Sequence, residues 1–287
     1  MAQKGEKKYY AVIGHPVGHS LSPAMQNAAF EACSLNGEYT AIDVAPEDMG
    51  AFVARARTSL AGFNITVPNK GAVIPFLDEA EPLAALQGSV NTVINRDGVL
   101  YGTSTDGYGL EAALKEAFSL EIRGHSVTFI GCGGVVKALA FHFASAGVKK
   151  IFLLNRTFGT AQALCGALQE RFPSLECSCA PLGDESSLSG FFGKSDLAVQ
   201  CTSLGLKESD PPPIRPELLP SGILFFDTIY RRTPLLQYAE EHGIRCANGL
   251  GMLLHQGAKS FSLWTGKEAP VEAMRRALYE AFYGNSR

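Results

Sequence analysis

Short apolar runs closed by turn residues alternate with stretches of helical spacing along almost the whole chain. Residues 9–14 (YYAVIG) read as a strand ending in glycine, 23–35 carry apolar residues at helical spacing, and 39–44 return as a strand. The rhythm continues with a helix near 48–58, a strand over 62–67 (GFNITV), a helix near 82–87, and VNTVINRDGVLYG, whose Arg-Asp-Gly turn predicts a hairpin. After Asp106 the amphipathic segment YGLEAALKEAF leads into the strand SVTFIG. Further strands follow at 150–155, 175–179, 197–201, 224–227 and 245–247, separated by helical stretches. From Gly251 the chain reads as helices, MLLHQGAKSFSLW and VEAMRRALYEAF, while the proline-rich 208–220 reads as a stiffened surface loop. This alternation predicts an α/β fold, doubly wound in its second half. At 287 residues the chain exceeds the roughly 100–200 residues of one domain, so two are expected.

The stretch GFNITVPNK places a lysine where a buried strand ends. Pro68 removes a backbone donor and stops the ladder, and Lys70 then emerges at the strand's carboxyl end. Ligands bind at that edge of open α/β sheets. The alternative is a lysine on a solvated turn.

Composition narrows the partners. Hydrophobic residues make up 46% and charged residues 18%, a globular balance, and the net charge of −3 gives no basic excess for nucleic acid. The seven cysteines are scattered without C-x-x-C spacing, which predicts reduced thiols in a cytoplasmic protein. His15 and His19 are four apart, but Pro16 and Gly18 between them argue for a loop, so no metal is expected. The start MAQKGEKKYY has no apolar stretch of signal-peptide length behind it, and no segment approaches about 18 uninterrupted apolar residues. The protein is therefore expected to be soluble, without membrane contact.

VTFIGCGGVVKALAFHFASAG sets Gly131, Gly133 and Gly134 between a strand and a helix. The first glycine permits a tight turn and the second lets backbone approach a pyrophosphate at a helix N-terminus. The third fingerprint position is Val136, where a small residue is usual. At the end of the next strand, where an NAD site carries Asp or Glu, stand Asn155, Arg156 and Thr157. A guanidinium there can stack on adenine and pair with a 2′-phosphate, which favours NADP.

Polar clusters fall at several strand ends in the first half: Ser20 and Ser22; Asn64, Thr66 and Lys70; Asn91; Thr105 and Asp106. Singly they could be caps, Ser22 before Pro23 being a good N-cap candidate. Together they supply hydroxyls and amides for a polyhydroxylated ring, with one cation and one carboxylate for proton transfer.

At this point the chain resembles the shikimate dehydrogenase family over almost its whole length. The resemblance rests on GHPVGHSLSPAMQNAAF, GFNITVPNK, GSVNT, STDG, GCGGVVKA, NRT and NGLGMLLHQGAKSFSLWTG, in family order. It implies two α/β domains: a substrate domain over 1–107 and a Rossmann-type NADP domain over 108–249, with the helices of 250–287 returning to the substrate domain. The implied activity is NADP-dependent reduction of 3-dehydroshikimate to shikimate, in the chorismate route to aromatic amino acids. Matched motif by motif, Ser20 and Ser22 would hold the substrate carboxylate, and Thr66, Asn91, Asp106 and Lys70 the ring hydroxyls. Tyr230 and Gln256 would also reach the substrate, and Gly131, Gly133, Gly134, Lys137, Asn155, Arg156 and Thr157 would line the NADP site.

Some positions depart from the family pattern. Ser104 replaces the asparagine of G-x-N-T-D-G, Thr160 stands where a second cation often follows N-R-T, QCTSLG replaces N-A/T-T-S, and the YRRTP loop is short.

Hydride addition to a carbonyl carbon puts negative charge on its oxygen. The Lys70 ammonium beside Asp106 would stabilise that charge and supply the proton. In the oxidation direction, neutral Lys70, Asp106 and water remain alternative acceptors. The rival readings are an NAD-dependent quinate or quinate/shikimate dehydrogenase and a silent metabolite-binding relative. The second serine of SLS and the missing acid after Leu154 speak against the first, and the Lys70 and Asp106 pair against the second. A monomer or a homodimer is expected.

Overall fold

The computed structural model describes residues 6–284. The chain divides into two compact units, Met1–Gly109 with Leu253–Arg287, and Leu110–Met252.

The first unit runs β1 (Lys8–Gly14), α1 (Ser22–Ala32), β2 (Gly37–Asp43), α2 (Met49–Ser59), β3 (Gly62–Ile65), β4 (Glu79–Ala80), α3 (Pro82–Gln87), β5 (Thr92–Arg96) and β6 (Val99–Thr103), and ends in the first turn of α4 (Asp106–Phe118). Its sheet has the order β2-β1-β3-β5-β6-β4. β1 pairs in parallel with β2 and β3, and β5 is antiparallel to both β3 and β6. The reversal comes from the expected hairpin. Asp97 and Gly98 both take positive φ (53° and 91°), which a tight two-residue turn demands, and the Gly98 N–H donates to Asn95 Oδ1 at 2.8 Å.

Strand alternation sends Ala11 and Ile13 into one core with Phe52 and Phe63. Tyr10 points the opposite way and stacks on Phe30 at 4.9 Å.

The strand expected over 62–67 stops at Ile65. Thr66 still donates to Ile13 O, but the chain then turns, Asn69 N–H reaching back to Thr66 O at 2.9 Å. Ser22 is the first residue of α1 and not its cap: Leu21 occupies that position, and the Ser22 N–H is met by Ser20 Oγ at 3.3 Å.

The second unit carries β7 (Ser126–Ile130), α5 (Gly134–Ser145), β8 (Lys150–Asn155), α6 (Phe158–Arg171), β9 (Glu176–Pro181), α7 (Glu185–Phe192), β10 (Leu197–Gln200), β11 (Leu224–Asp227), α8 (Pro234–Glu241) and β12 (Cys246–Ala247). All its strand pairs are parallel, in the order β12-β11-β10-β7-β8-β9. Counted from β7 to β9 and then β10 to β12, this is the 3-2-1-4-5-6 order of a dinucleotide-binding sheet, with its switch point between β7 and β10. The central strands β7 and β10 are buried on both faces, whereas the edge strand β9 alternates with exposed positions. The 208–220 loop is more than a surface connection, because its Ile214 and Leu219 lie in the core beside Phe225 and Leu235.

The chain ends in α9 (Leu250–Thr265) and α10 (Val271–Gly284), which from Leu253 onward belong to the first unit. Gly257 lets α9 approach α1 closely. A Cβ there would overlap Met25, and Gln26 Nε2 donates to Gly257 O at 2.9 Å.

Candidate active site

Parallel pairing brings the carboxyl ends of β1 and β3 together, with Ile13 opposite Ile65. The antiparallel strands place the start of β5 and the end of β6 at the same edge, Thr92 opposing both Asn64 and Thr103. Four loops therefore open on one side of this sheet, and they carry Ser20, Thr66 with Lys70, Asn91, and Thr105 with Asp106.

Lys70 Nζ lies 2.6 Å from Asp106 Oδ2, with the lysine side chain 20% exposed and the aspartate 6%. Lys70 is therefore not on a solvated turn. Its carbonyl accepts from Val90 N at 2.9 Å, which fastens the lysine loop beside the start of β5. Asn91 Nδ2 donates to the other carboxylate oxygen, Asp106 Oδ1, at 2.8 Å. Asn91 Oδ1 accepts from Thr105 N and from Thr92 Oγ1, each at 2.8 Å. From α9, Gln256 Oε1 approaches Asn91 Nδ2 at 3.4 Å, and Gln256 Nε2 donates to Leu253 O.

The structure thus gathers Lys70, Asn91, Thr105, Asp106 and Gln256 into one hydrogen-bonded cluster. Ser20 and Thr66 stand on neighbouring loops outside these bonds, and Ser22, 7% exposed, opens α1 just after the first of them. Ser104, in place of the family asparagine, has a buried hydroxyl with no partner among the described residues. Tyr230 belongs to the second unit, where its carbonyl accepts from Asn248 Nδ2 at 2.9 Å.

Asn64 joins this network together with three residues that the sequence did not single out, Tyr39, Thr92 and Ser260. Tyr39 OH donates to Asn64 Oδ1 at 2.7 Å, and Asn64 Nδ2 reaches Thr92 Oγ1 at 3.0 Å and Ser260 Oγ at 3.1 Å. Ser260 follows Gln256 by one helical turn, so the face that presents the glutamine also presents the serine. That spacing was the available signal.

In the second unit, β7 is followed at once by Gly131 with φ 98°, and a Cβ there would stand 3.2 Å from Thr202 N, so the turn itself requires glycine. Gly133 and Gly134 differ: a Cβ on either would meet open space, which leaves room for a ligand against the N-terminus of α5. Val136, at the third fingerprint position, is fully buried. Cys132, between the glycines, is buried, and burial pushes its thiol up to about 12, so it stays protonated and unreactive.

Asn155 braces two loops at once. Its Oδ1 accepts from Cys132 N at 3.1 Å and its Nδ2 donates to Thr157 O at 2.9 Å. Arg156 and Thr157 are exposed just before α6, and Lys137 is partly buried in the first turns of α5. An open glycine turn at a helix start, followed one strand later by an exposed guanidinium, fits a dinucleotide carrying a 2′-phosphate.

The fold and these two constellations define a dinucleotide-binding α/β oxidoreductase. Family models match in three stretches: the shikimate dehydrogenase substrate binding domain over residues 12–93, shikimate / quinate 5-dehydrogenase over 112–180, and the shikimate 5'-dehydrogenase C-terminal domain over 249–279. The shikimate dehydrogenase (NADP(+)) of Methanopyrus kandleri is 40% identical over 280 residues, covering 96% of each chain. That of Symbiobacterium thermophilum is 37% identical over 286 residues, covering 98% of this chain and 97% of its own.

Among solved structures, shikimate 5-dehydrogenase from Listeria monocytogenes, in complex with shikimate and NAD, has a TM-score of 0.89 at 35% identity, covering 97% of this chain and 98% of that one. The Thermus thermophilus enzyme, in complex with NADP(H) and shikimate, has a TM-score of 0.85 at 35% identity, covering 96% and 99%. The chain belongs to the shikimate dehydrogenase family.

Proposed function

We infer that this chain catalyses the reversible NADP-dependent reduction of 3-dehydroshikimate to shikimate, an oxidoreductase acting on a CH–OH group in the aromatic amino acid pathway. The observation that carries the reading is the Lys70 and Asp106 ion pair at 2.6 Å, set in a cluster of amides and hydroxyls suited to a polyhydroxylated ring.

In this reading residues 1–107 bind substrate, 108–249 bind NADP, and 250–287 add Gln256 to the substrate side. Ser20 and Ser22 receive the substrate carboxylate together with Tyr230, and Thr66, Asn91 and Gln256 hold ring hydroxyls. Gly131, Gly133 and Gly134 admit the pyrophosphate, Asn155 and Thr157 shape the ribose turn, and Arg156 and Lys137 supply positive charge for the phosphates. Bound NADPH supplies the hydride of the reduction.

The protein manages the proton. As the substrate's carbonyl oxygen gains negative charge, the Lys70 ammonium stabilises it and delivers a proton from Nζ. Asp106 Oδ2 orients that ammonium, and Asn91 holds Asp106 through Oδ1. In the oxidation direction the Lys70 and Asp106 pair receives the proton.

The partners are the small substrate and NADP, without nucleic acid or membrane; no helix among the described residues is long and apolar enough to cross a membrane. The seven unpaired cysteines fit a reducing cytoplasm, and the state proposed is a monomer or a homodimer.

Initial rates of cofactor reduction with shikimate or quinate, each with NADP or NAD, test the reading. Rapid turnover confined to shikimate with NADP is expected. Equal or faster turnover of quinate with NAD contradicts it, as does inactivity with all four combinations.

A further inference from the structure

The Asp106 carboxylate is fixed through both oxygens, and the bond to its Oδ1 depends on which way the Asn91 amide faces. The two ends of an asparagine amide are nearly isosteric, so something must distinguish them. The backbone N–H of Thr105 can only donate, and it lies 2.8 Å from the Asn91 atom on one side. That atom is therefore the oxygen, and the NH2 group faces Asp106 Oδ1 at 2.8 Å.

The same oxygen is approached by two hydroxyls, Thr92 Oγ1 at 2.8 Å and Thr105 Oγ1 at 3.2 Å, and the shorter and more deeply seated of these bonds is that from Thr92. Thr92 has one hydroxyl hydrogen to give. Asn64 Nδ2 donates to that hydroxyl at 3.0 Å, and the Asn91 oxygen can only accept, so the bond between Thr92 and Asn91 carries the threonine's hydrogen; Ser260 Oγ lies 2.8 Å away on the same hydroxyl. Ser260 shares its own hydrogen with Gln256 O at 3.0 Å.

Asn64 is oriented in turn by Tyr39. Burial pushes the Tyr39 phenol well above its ordinary value, so it remains a donor, and it points at Asn64 Oδ1 from 2.7 Å. Every donor in the series Tyr39, Asn64, Thr92, Asn91 therefore points toward Asp106. Asn64, Thr92 and Ser260 are all buried, so water does not substitute for a missing member.

We propose that Thr92 is a positioning residue for the reaction: its hydroxyl, seated by Asn64 and Ser260, locks the Asn91 amide and so holds the Asp106 carboxylate square to Lys70. This rests on the reading of Lys70 and Asp106 as the proton-transferring pair. Thr92 touches neither of them and acts through Asn91; its other neighbour on that side, Thr105 Oγ1 at 3.4 Å, itself contacts Asn91.

The test is the steady-state kinetics of shikimate oxidation by NADP in the wild type, Thr92→Val and Thr92→Ser. Valine keeps the shape and removes the hydroxyl, while serine keeps the hydroxyl and removes the methyl. Thr92→Val should lower kcat by about tenfold, the scale of one lost buried hydrogen bond, with KM for NADP unchanged. Thr92→Ser should restore most of the rate. In a Lys70→Ala background Thr92→Val should have no further effect on kcat, because the relay acts through the pair.

Wild-type kcat in Thr92→Val, or an equal fall in Thr92→Ser, overturns the proposal while leaving the functional reading intact. An inactive wild type overturns both. If Thr92→Val does not fold, Ser260→Ala reads the same relay from α9 and should lower kcat about two- to threefold at unchanged KM for NADP; an unchanged kcat then overturns it.

Discussion

Lys70 and Asp106, 36 residues apart in the chain, meet at 2.6 Å, and the aspartate's second oxygen is held 2.8 Å from Asn91 Nδ2. A carboxylate this buried is costly to leave unpaired, so the lysine and the amide stabilise the site as well as shaping it. They also leave the ammonium with two further N–H bonds to give. The pair is thus both the anchor of the substrate-side loops and its only oppositely charged couple among the cluster residues.

The exposed Arg156 has no acidic partner among the described residues, unlike Arg57, which meets Asp78. Its charge is free for a 2′-phosphate. Arg156→Ala should raise KM for NADP by about tenfold or more, the scale of a lost charge-assisted hydrogen bond, and barely alter KM for NAD. Steady-state kinetics with both cofactors checks this, and equal effects on the two contradict the assignment.

Asp227, at the end of β11, gives a pH-dependent term in stability. Burial pushes its carboxyl up to about 6, although Ile229 N–H and the Thr233 hydroxyl donate to it at 2.9 and 2.7 Å. The unfolded carboxyl titrates near 3.8. Between these values the folded chain keeps a proton that the unfolded chain has released. Stability is therefore fully present below pH 3.8 and falls as pH rises to about 6, by about 3 kcal/mol in all. Asp227→Asn removes this dependence. The difference in Tm between variant and wild type should climb between pH 4 and 6 and level off above; a difference independent of pH rules the effect out.

Trp264, the chain's one tryptophan, packs its indole against Gly62 and donates from Nε1 to Val93 O at 2.9 Å. A Cβ at residue 62 would overlap both the indole and that carbonyl. Gly62→Ala should displace the ring, lowering stability by about 1–3 kcal/mol as overpacking does, and shift its emission to the red. Denaturant unfolding followed by tryptophan fluorescence reads both, and a native spectrum with an unchanged midpoint contradicts this packing account.

The strands were legible because a sheet covered on both faces leaves apolar runs of strand length, and β8 and β11 fall where those runs were read, at 150–155 and 224–227. β4 was not, because two residues carry no period. The burial of Ile214 and Leu219 was hidden by the prolines around them, which look like a loop composition and say nothing of what the loop packs against. At the site, Lys70, Asn91 and Asp106 were visible as polar residues at strand ends, and the structure brings those ends to one edge. The relay behind them was invisible. The bond from Asn64 to Ser260 joins positions 196 apart in sequence, and no local pattern records it.

In the proposed mechanism Lys70 transfers the proton. The most direct test is kcat and KM for shikimate oxidation by NADP in Lys70→Ala, with the Kd for shikimate measured alongside. A loss of about 100- to 10,000-fold in kcat with little change in Kd is expected for removal of a general acid–base group. Turnover close to that of the wild type would contradict the account.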